Sequence, residues 1–116
     1  MRILLVDDDR LVRSTLAAGL TDRGHDVLDA ESAEEALGLL GVRTVDIVIS
    51  DIEMPGLGGL ALGRALCTGI HRVRRVALTA SQLSAADEAA MHELFERVLS
   101  KPITVDRLDS VLREFG

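Results

Sequence analysis

Short apolar runs punctuate the chain, and each ends against polar or charged residues. Ile3 to Val6 runs into Asp7-Asp8-Asp9. Asp46 to Ser50 carries Ile47, Val48 and Ile49 and ends in Asp51. Arg75 to Thr79 holds Val76, Ala77 and Leu78, and Val98-Leu99 precedes Lys101-Pro102. Asp26 to Ala30 is a weaker run of the same kind. Short, continuous apolar runs with polar boundaries read as buried strands. Between them the period changes. Leu11, Val12, Thr15, Leu16, Gly19 and Leu20 follow helical spacing until Gly24 stops it. Ser32 with Glu35 forms a capping box ahead of Ala36, Leu37, Leu39 and Leu40. The Pro and Gly content of Met54 to Gly59 predicts a loop, then a helix from about Leu57 or Gly59 to Cys67. Ser84 with Asp87 caps a polar, Ala-rich helix. Thr104 caps the last helix, with Ile103 and Leu108 spaced as a hydrophobic staple. Five strands alternating with five helices, and lacking polar alternation, predict an α/β fold. Its sheet is parallel, covered on both faces and joined by right-handed crossovers.

No repeat, low-complexity tract or linker interrupts this pattern, and 116 residues predict one domain over 1–116. That length buries about two-thirds of the unfolded surface. With no Trp or Tyr and only Phe95 and Phe115, the core must be Leu, Val, Ile and Ala. The lack of aromatics excludes stacking platforms for single-stranded nucleic acid. A net charge of −6 argues against direct nucleic acid and anionic membranes as main partners. No apolar run reaches the length that spans a bilayer. Met1-Arg2 and a four-residue apolar run make no signal peptide. The single Cys67 excludes an internal disulfide and a cysteine metal cluster, and fits a reducing cytoplasm. Twelve of the thirteen basic residues are Arg; the one Lys is Lys101.

Open parallel sheets bind ligands beyond the C-terminal ends of their strands. The residues at those ends are Asp7, Asp8 and Asp9, then Asp51, then Thr79, then Lys101. Clustered carboxylates repel one another and raise one another's pKa. A hard cation removes that repulsion, and Mg²⁺ takes oxygen ligands while keeping waters for a phosphate. Such a metal would bring a phosphoryl donor close to an Asp nucleophile, with the Lys and Thr holding the transferred oxygens.

Strand-Asp7-Asp8, strand-Asp51 with Met54-Pro55, strand-Thr79-Ala80 and strand-Lys101-Pro102 resemble, in order and spacing, the receiver domain of two-component response regulators, of the chemotaxis-receiver type. The resemblance covers the whole chain. It implies a flavodoxin-like, doubly wound (βα)5 fold of strand order 2-1-3-4-5. It implies Asp51 as phosphoacceptor, Asp7, Asp8 and Asp51 as Mg²⁺ ligands, and the Glu53 backbone carbonyl as a further ligand. Thr79 would be the switch hydroxyl and Lys101 the ammonium that pairs with the phosphoryl group. The Lys101-Pro102 peptide would be cis. The implied function is a phosphoacceptor in the cytoplasm, not an enzyme with an external product. Its donor would be a histidine kinase or histidine phosphotransfer protein, and it would control an output partner that the sequence leaves unidentified. The sequence ends right after the fifth helix with no effector domain. A stand-alone receiver and a piece of a hybrid kinase or larger regulator both stay open.

The chain departs from the family at three places. Val98 stands where an aromatic is usual, Gly58-Gly59 replaces Asp-Gly, and His71 to Arg75 is more basic than usual at a strand entrance. Among the bland readings, Asp9 alone suffices as an N-cap for the first helix. Cys67 reads as a small core residue. The His71 to Arg75 cluster reads as a solvated loop or a docking patch, and His25 and His92 as exposed. Two rival classes remain. Leu4 to Asp9 also fits the Asp-x-Asp start of haloacid-dehalogenase-type phosphatases, with Asp7 as nucleophile and Asp9 as acid/base. A degenerate receiver that binds partners without phosphorylation has only Val98 in its favour.

Overall fold

The computed structural model describes residues 1–69, 73–80 and 83–115. Strands and helices alternate as β1 (Arg2–Val6), α1 (Arg10–Asp22), β2 (Asp26–Ala30), α2 (Ala33–Leu40), β3 (Ile47–Asp51), α3 (Gly58–Thr68), β4 (Arg74–Thr79), α4 (Ala85–Leu94), β5 (Arg97–Ser100) and α5 (Val105–Phe115). The sheet is parallel throughout, in the order β2-β1-β3-β4-β5. The expected α/β fold and strand order are therefore the observed ones.

Period-two side-chain direction divides the core between the two faces of the sheet. Ile3 and Leu5 of β1, Ile47 and Ile49 of β3 and Val76 and Leu78 of β4 pack with Leu16 and Leu20 of α1 and Leu108, Val111 and Leu112 of α5. The intervening residues Leu4, Val6 and Val48 face the other way, onto Ala33, Ala36 and Leu40 of α2 and Leu62 and Leu66 of α3. Ala77, Met91 and Phe95 with Ile52 close a smaller cluster under α4. Both faces of the three central strands are thus apolar, which is why their sequences read as unbroken runs rather than alternation.

The caps form as the sequence predicts. Asp9 Oδ1 accepts from the backbone N–H of Leu11 and Val12 at 3.0 and 3.2 Å. Ser32, Ser84 and Thr104 each accept the N–H three residues on. Ile103 packs into the same cluster as Leu108. α3 has no side-chain cap, as its Gly58-Gly59 start implies.

The expectations for Cys67 and His25 fail, and the reading of the basic cluster is corrected in part. Cys67 is exposed, because the buried face of α3 runs through Leu62, Gly63 and Leu66, and the next residue is turned about 100° away from it. His25 is not exposed: only 13% of its side chain is accessible, and its Nε2 lies 2.8 Å from Asp109 Oδ1. That hydrogen bond and the Arg113 guanidinium hold the Asp109 carboxyl below its usual range. A partner 84 positions away leaves no local mark in the sequence. The basic cluster is not simply a loop. Arg74 and Arg75 belong to β4, while His71 and Arg72 lie outside the described residues. Arg75 donates to the carbonyls of Leu94 and Val73, and Arg74 pairs with Glu96 at 3.0 Å. His92 is exposed, as expected.

Candidate functional site

The C-terminal edge of the sheet collects the polar residues that each strand delivers. Asp7 follows β1 and is fully buried. Its backbone N–H donates to Ala30 of β2, and its Oδ1 accepts from the N–H of Asp9 at 2.9 Å. The Arg13 guanidinium clamps its carbonyl at 2.8 Å. Asp8, the next residue, turns outward and is exposed. Asp51 is the last residue of β3, in register with Leu78 of β4, and is buried. One carboxylate oxygen from each of Asp7, Asp8 and Asp51 lies within 4.8 Å of the others. With Asp9 engaged as the helix cap, these three acids are left for the site.

Lys101 closes the cluster from the far side. Its Nζ lies 2.7 Å from Asp7 Oδ2 and 3.3 Å from Asp51 Oδ2. Its backbone N–H donates to the Thr79 carbonyl at 2.8 Å, and the following peptide to Pro102 is cis, as the resemblance implies. Burial alone would lower the Lys101 pKa. The Asp7 hydrogen bond and the Asp51 charge override it and hold the ammonium above its ordinary value. Burial pushes the Asp51 carboxyl up to about 6; the Lys101 charge opposes that and the Asp7 charge adds to it.

The Asp51 shift has a stability consequence. A rise from 3.8 to about 6 corresponds to about 3 kcal/mol between the two protonation states. For an acid whose folded pKa is raised, the folded state holds the proton more tightly. The stabilisation is present below pH 3.8 and is lost as pH rises through about 6. In chelator, Asp51→Asn should therefore raise the stability of the fold above pH 7 by ~2–3 kcal/mol and leave it nearly unchanged at pH 4. Urea unfolding followed by circular dichroism measures this. An equal effect at both pH values would contradict it.

The loop after β3 depends on glycine. Gly58 has φ +74°, and its neighbour Gly59 donates its N–H to the Ile52 carbonyl. A Cβ on Gly59 would lie 2.3 Å from the Asp51 carbonyl oxygen, so α3 can start this close to the strand only on a residue without a side chain. Glu53 sits between them. Its N–H donates to Asp51 Oδ1 at 3.3 Å. Its side chain reaches β4, where Oε1 accepts from Thr79 Oγ1 at 2.7 Å and Oε2 from the Ala80 N–H at 3.3 Å. That contact is absent from the sequence reading, which assigned Glu53 only its carbonyl. Twenty-six residues separate Glu53 from Thr79, and a Glu in a loop carries no signal of its partner. Val98 packs on the edge of the cluster formed by Ile52, Ala77, Met91 and Phe95, and with Thr79 it borders an open groove of about 530 Å³.

A doubly wound sheet with paired acids, a hydroxyl and an ammonium on its C-terminal edge defines a phosphoryl-accepting domain of the response-regulator class. The family model for the response regulator receiver domain matches residues 3–113, and the chain belongs to that family. It is 32% identical over its whole length to the sensor histidine kinase RcsC of Salmonella typhi, of which it spans 12%. It is 36% identical, over 92% of its length, to a response regulator receiver protein of Anaeromyxobacter sp. (strain Fw109-5), of which it spans 45%. The chain thus spans less than half of these curated relatives. Among solved structures, the response regulator TrrA of Thermotoga maritima in complex with Mg²⁺ and BeF superposes with a TM-score of 0.88, at 30% identity, covering 99% of this chain and 98% of that one. A receiver protein from Pseudomonas putida, 24% identical, shares the fold with a TM-score of 0.91, covering 97% and 95%. The protein is a phosphoacceptor module of two-component signalling, of the kind found in response regulators and in sensor kinases. Its oxygen-only donor set fits Mg²⁺. Among the described residues, no helix is long and apolar enough to cross a membrane.

Proposed function

We propose that residues 1–116 act as one receiver domain in which Asp51 accepts the phosphoryl group. The observation that carries this reading is the Lys101 ammonium held between the buried carboxylates of Asp7 and Asp51, with Asp8 in the same cluster. An oxygen of the ionised Asp51 carboxylate attacks phosphorus. The P–N bond of a phosphohistidine donor breaks, the imidazole leaves with the electron pair and takes up a proton, and an acyl phosphate remains on Asp51. The domain's own residues drive this transfer, and no external product is turned over. Asp7, Asp8, Asp51 and the Glu53 carbonyl would hold Mg²⁺, which when bound neutralises the carboxylates and the incoming phosphoryl oxygens. The Lys101 ammonium meets a transferred oxygen as a point charge, and Thr79 donates its hydroxyl to another.

The donor is a histidine kinase or histidine phosphotransfer protein in the cytoplasm, and the phosphorylated form controls a protein partner or an attached output domain. A receiver seated inside a sensor kinase such as RcsC and one in a response regulator are both consistent with the relatives. Treatment with acetyl phosphate and Mg²⁺, followed by mass spectrometry and peptide mapping, should place one phosphoryl group on Asp51. Label on Asp7 would instead indicate the phosphatase chemistry of an Asp-x-Asp site. No label would indicate a binding domain that works without phosphorylation.

A further inference from the structure

We propose that the Glu53 carboxylate is a built-in competitor of the phosphoryl group for the Thr79 hydroxyl. The inference rests on the assignment of Asp51 as phosphoacceptor and Thr79 as switch hydroxyl. Two donors stand side by side at the end of β4, the Thr79 Oγ1–H and the Ala80 N–H, and Glu53 occupies both, one carboxylate oxygen on each. A carboxylate edge presents two anionic oxygens to a donor pair, the arrangement that two phosphoryl oxygens would present. The 2.7 Å contact to Thr79 has the length of a charge-assisted O–H···O⁻ bond. The loop places Glu53 to make it, because its own N–H is tied to Asp51 Oδ1. The same two-residue link joins the competitor to the phosphorylation site.

Thr79 cannot turn its proton towards a phosphoryl oxygen while it donates to Glu53, since a hydroxyl has one O–H. Binding of the phosphoryl group must therefore displace Glu53. A ligand shifts such an equilibrium only by its differential affinity for the two states, so the strength of the Glu53 bond is subtracted from that shift. Glu53 is a positioning residue in this role: it sets how readily Thr79 becomes available.

The test is a double-mutant cycle read by binding of beryllofluoride with Mg²⁺, followed by backbone amide shifts, with phosphoryl labelling of Asp51 as a parallel readout. Glu53→Ala should bind the probe about tenfold more tightly, which converts to about 1.4 kcal/mol. Glu53→Gln keeps one neutral acceptor and should gain less. In a Thr79→Val background the Glu53→Ala gain should shrink to about twofold or less, the remainder carried by the other contacts of Glu53, the Ala80 N–H among them. Thr79→Ser, which keeps the hydroxyl, should restore the full gain and controls for folding. An equal gain with and without the hydroxyl would overturn the proposal, because it would show that Glu53 acts through charge repulsion alone. No gain, or weaker binding, in Glu53→Ala would also overturn it. Wild-type protein that takes neither probe nor label at Asp51 would remove the phosphoacceptor reading itself, a failure that shows before any Glu53 variant is compared.

Discussion

Chelating Mg²⁺ should slow phosphoryl labelling of Asp51 by at least about a thousandfold. Asp7 and Asp51 are buried, and one oxygen of each lies within 4.8 Å of one from Asp8, so a dianion brought to Asp51 meets three clustered carboxylates. One pair of unit charges at 4 Å costs ~4 kcal/mol at an effective dielectric constant of 20. Each 1.36 kcal/mol on the barrier is about a factor of ten in rate, so a single uncompensated pair accounts for about three decades. Lys101 already neutralises part of the cluster, but its one charge is shared between Asp7 and Asp51. A time course of intact mass with acetyl phosphate, in Mg²⁺ and in chelator, measures the effect. Asp51→Ala should show no label in either condition. Equal rates with and without the metal, or label that survives Asp51→Ala, would refute the site.

Lys101→Arg should fold and yet lose most of the change that phosphorylation induces. The ammonium sits 2.7 and 3.3 Å from single oxygens of two different carboxylates, a task for a compact point charge. A guanidinium is a planar fork suited to two oxygens of one group, and its bulk would have to enter space bounded by buried Asp7. Beryllofluoride with Mg²⁺ should therefore move the backbone amides near Asp51 and Thr79 in the wild type and far less in the variant. Lys101→Met tests the other half of the argument. Removing one partner of a buried ion pair costs about 3–5 kcal/mol. Protonation of Asp51, whose pKa would climb further without the cation, relieves part of that loss at low pH. The variant should thus be most destabilised above pH 7. As the chain has no Trp or Tyr, circular dichroism is the readout. A Lys101→Arg protein that responds like the wild type would make Lys101 an ordinary surface charge.

Much of this site was legible in the order of residues, and the reason is topological. A parallel sheet sends the C-terminal ends of all its strands to one edge, so polar residues that follow separate apolar runs must converge. Asp7, Asp51, Thr79 and Lys101 each terminate or follow such a run, and the structure brings them together there. Asp9 was separable from its neighbours because an N-cap is a local event spanning three residues. Strand limits shifted by one residue. Asp51 is paired within β3 rather than lying beyond it, since it has a ladder partner in Leu78 of β4.

What the sequence alone determined is what depends on local period and on connectivity: the elements, their caps, the parallel sheet and the edge where its chemistry gathers. The tertiary structure decided the pairings between distant side chains and the depth at which each group sits. Glu53 on Thr79 and His25 on Asp109 are contacts across 26 and 84 positions, and no period encodes them. Cys67 was apolar by type and exposed by helix phase, because the face of α3 that meets the sheet is set by Leu62 and Leu66. The raised pKa of Asp51 likewise belongs to the fold, for burial is its largest cause and a residue acquires burial only when the chain closes around it.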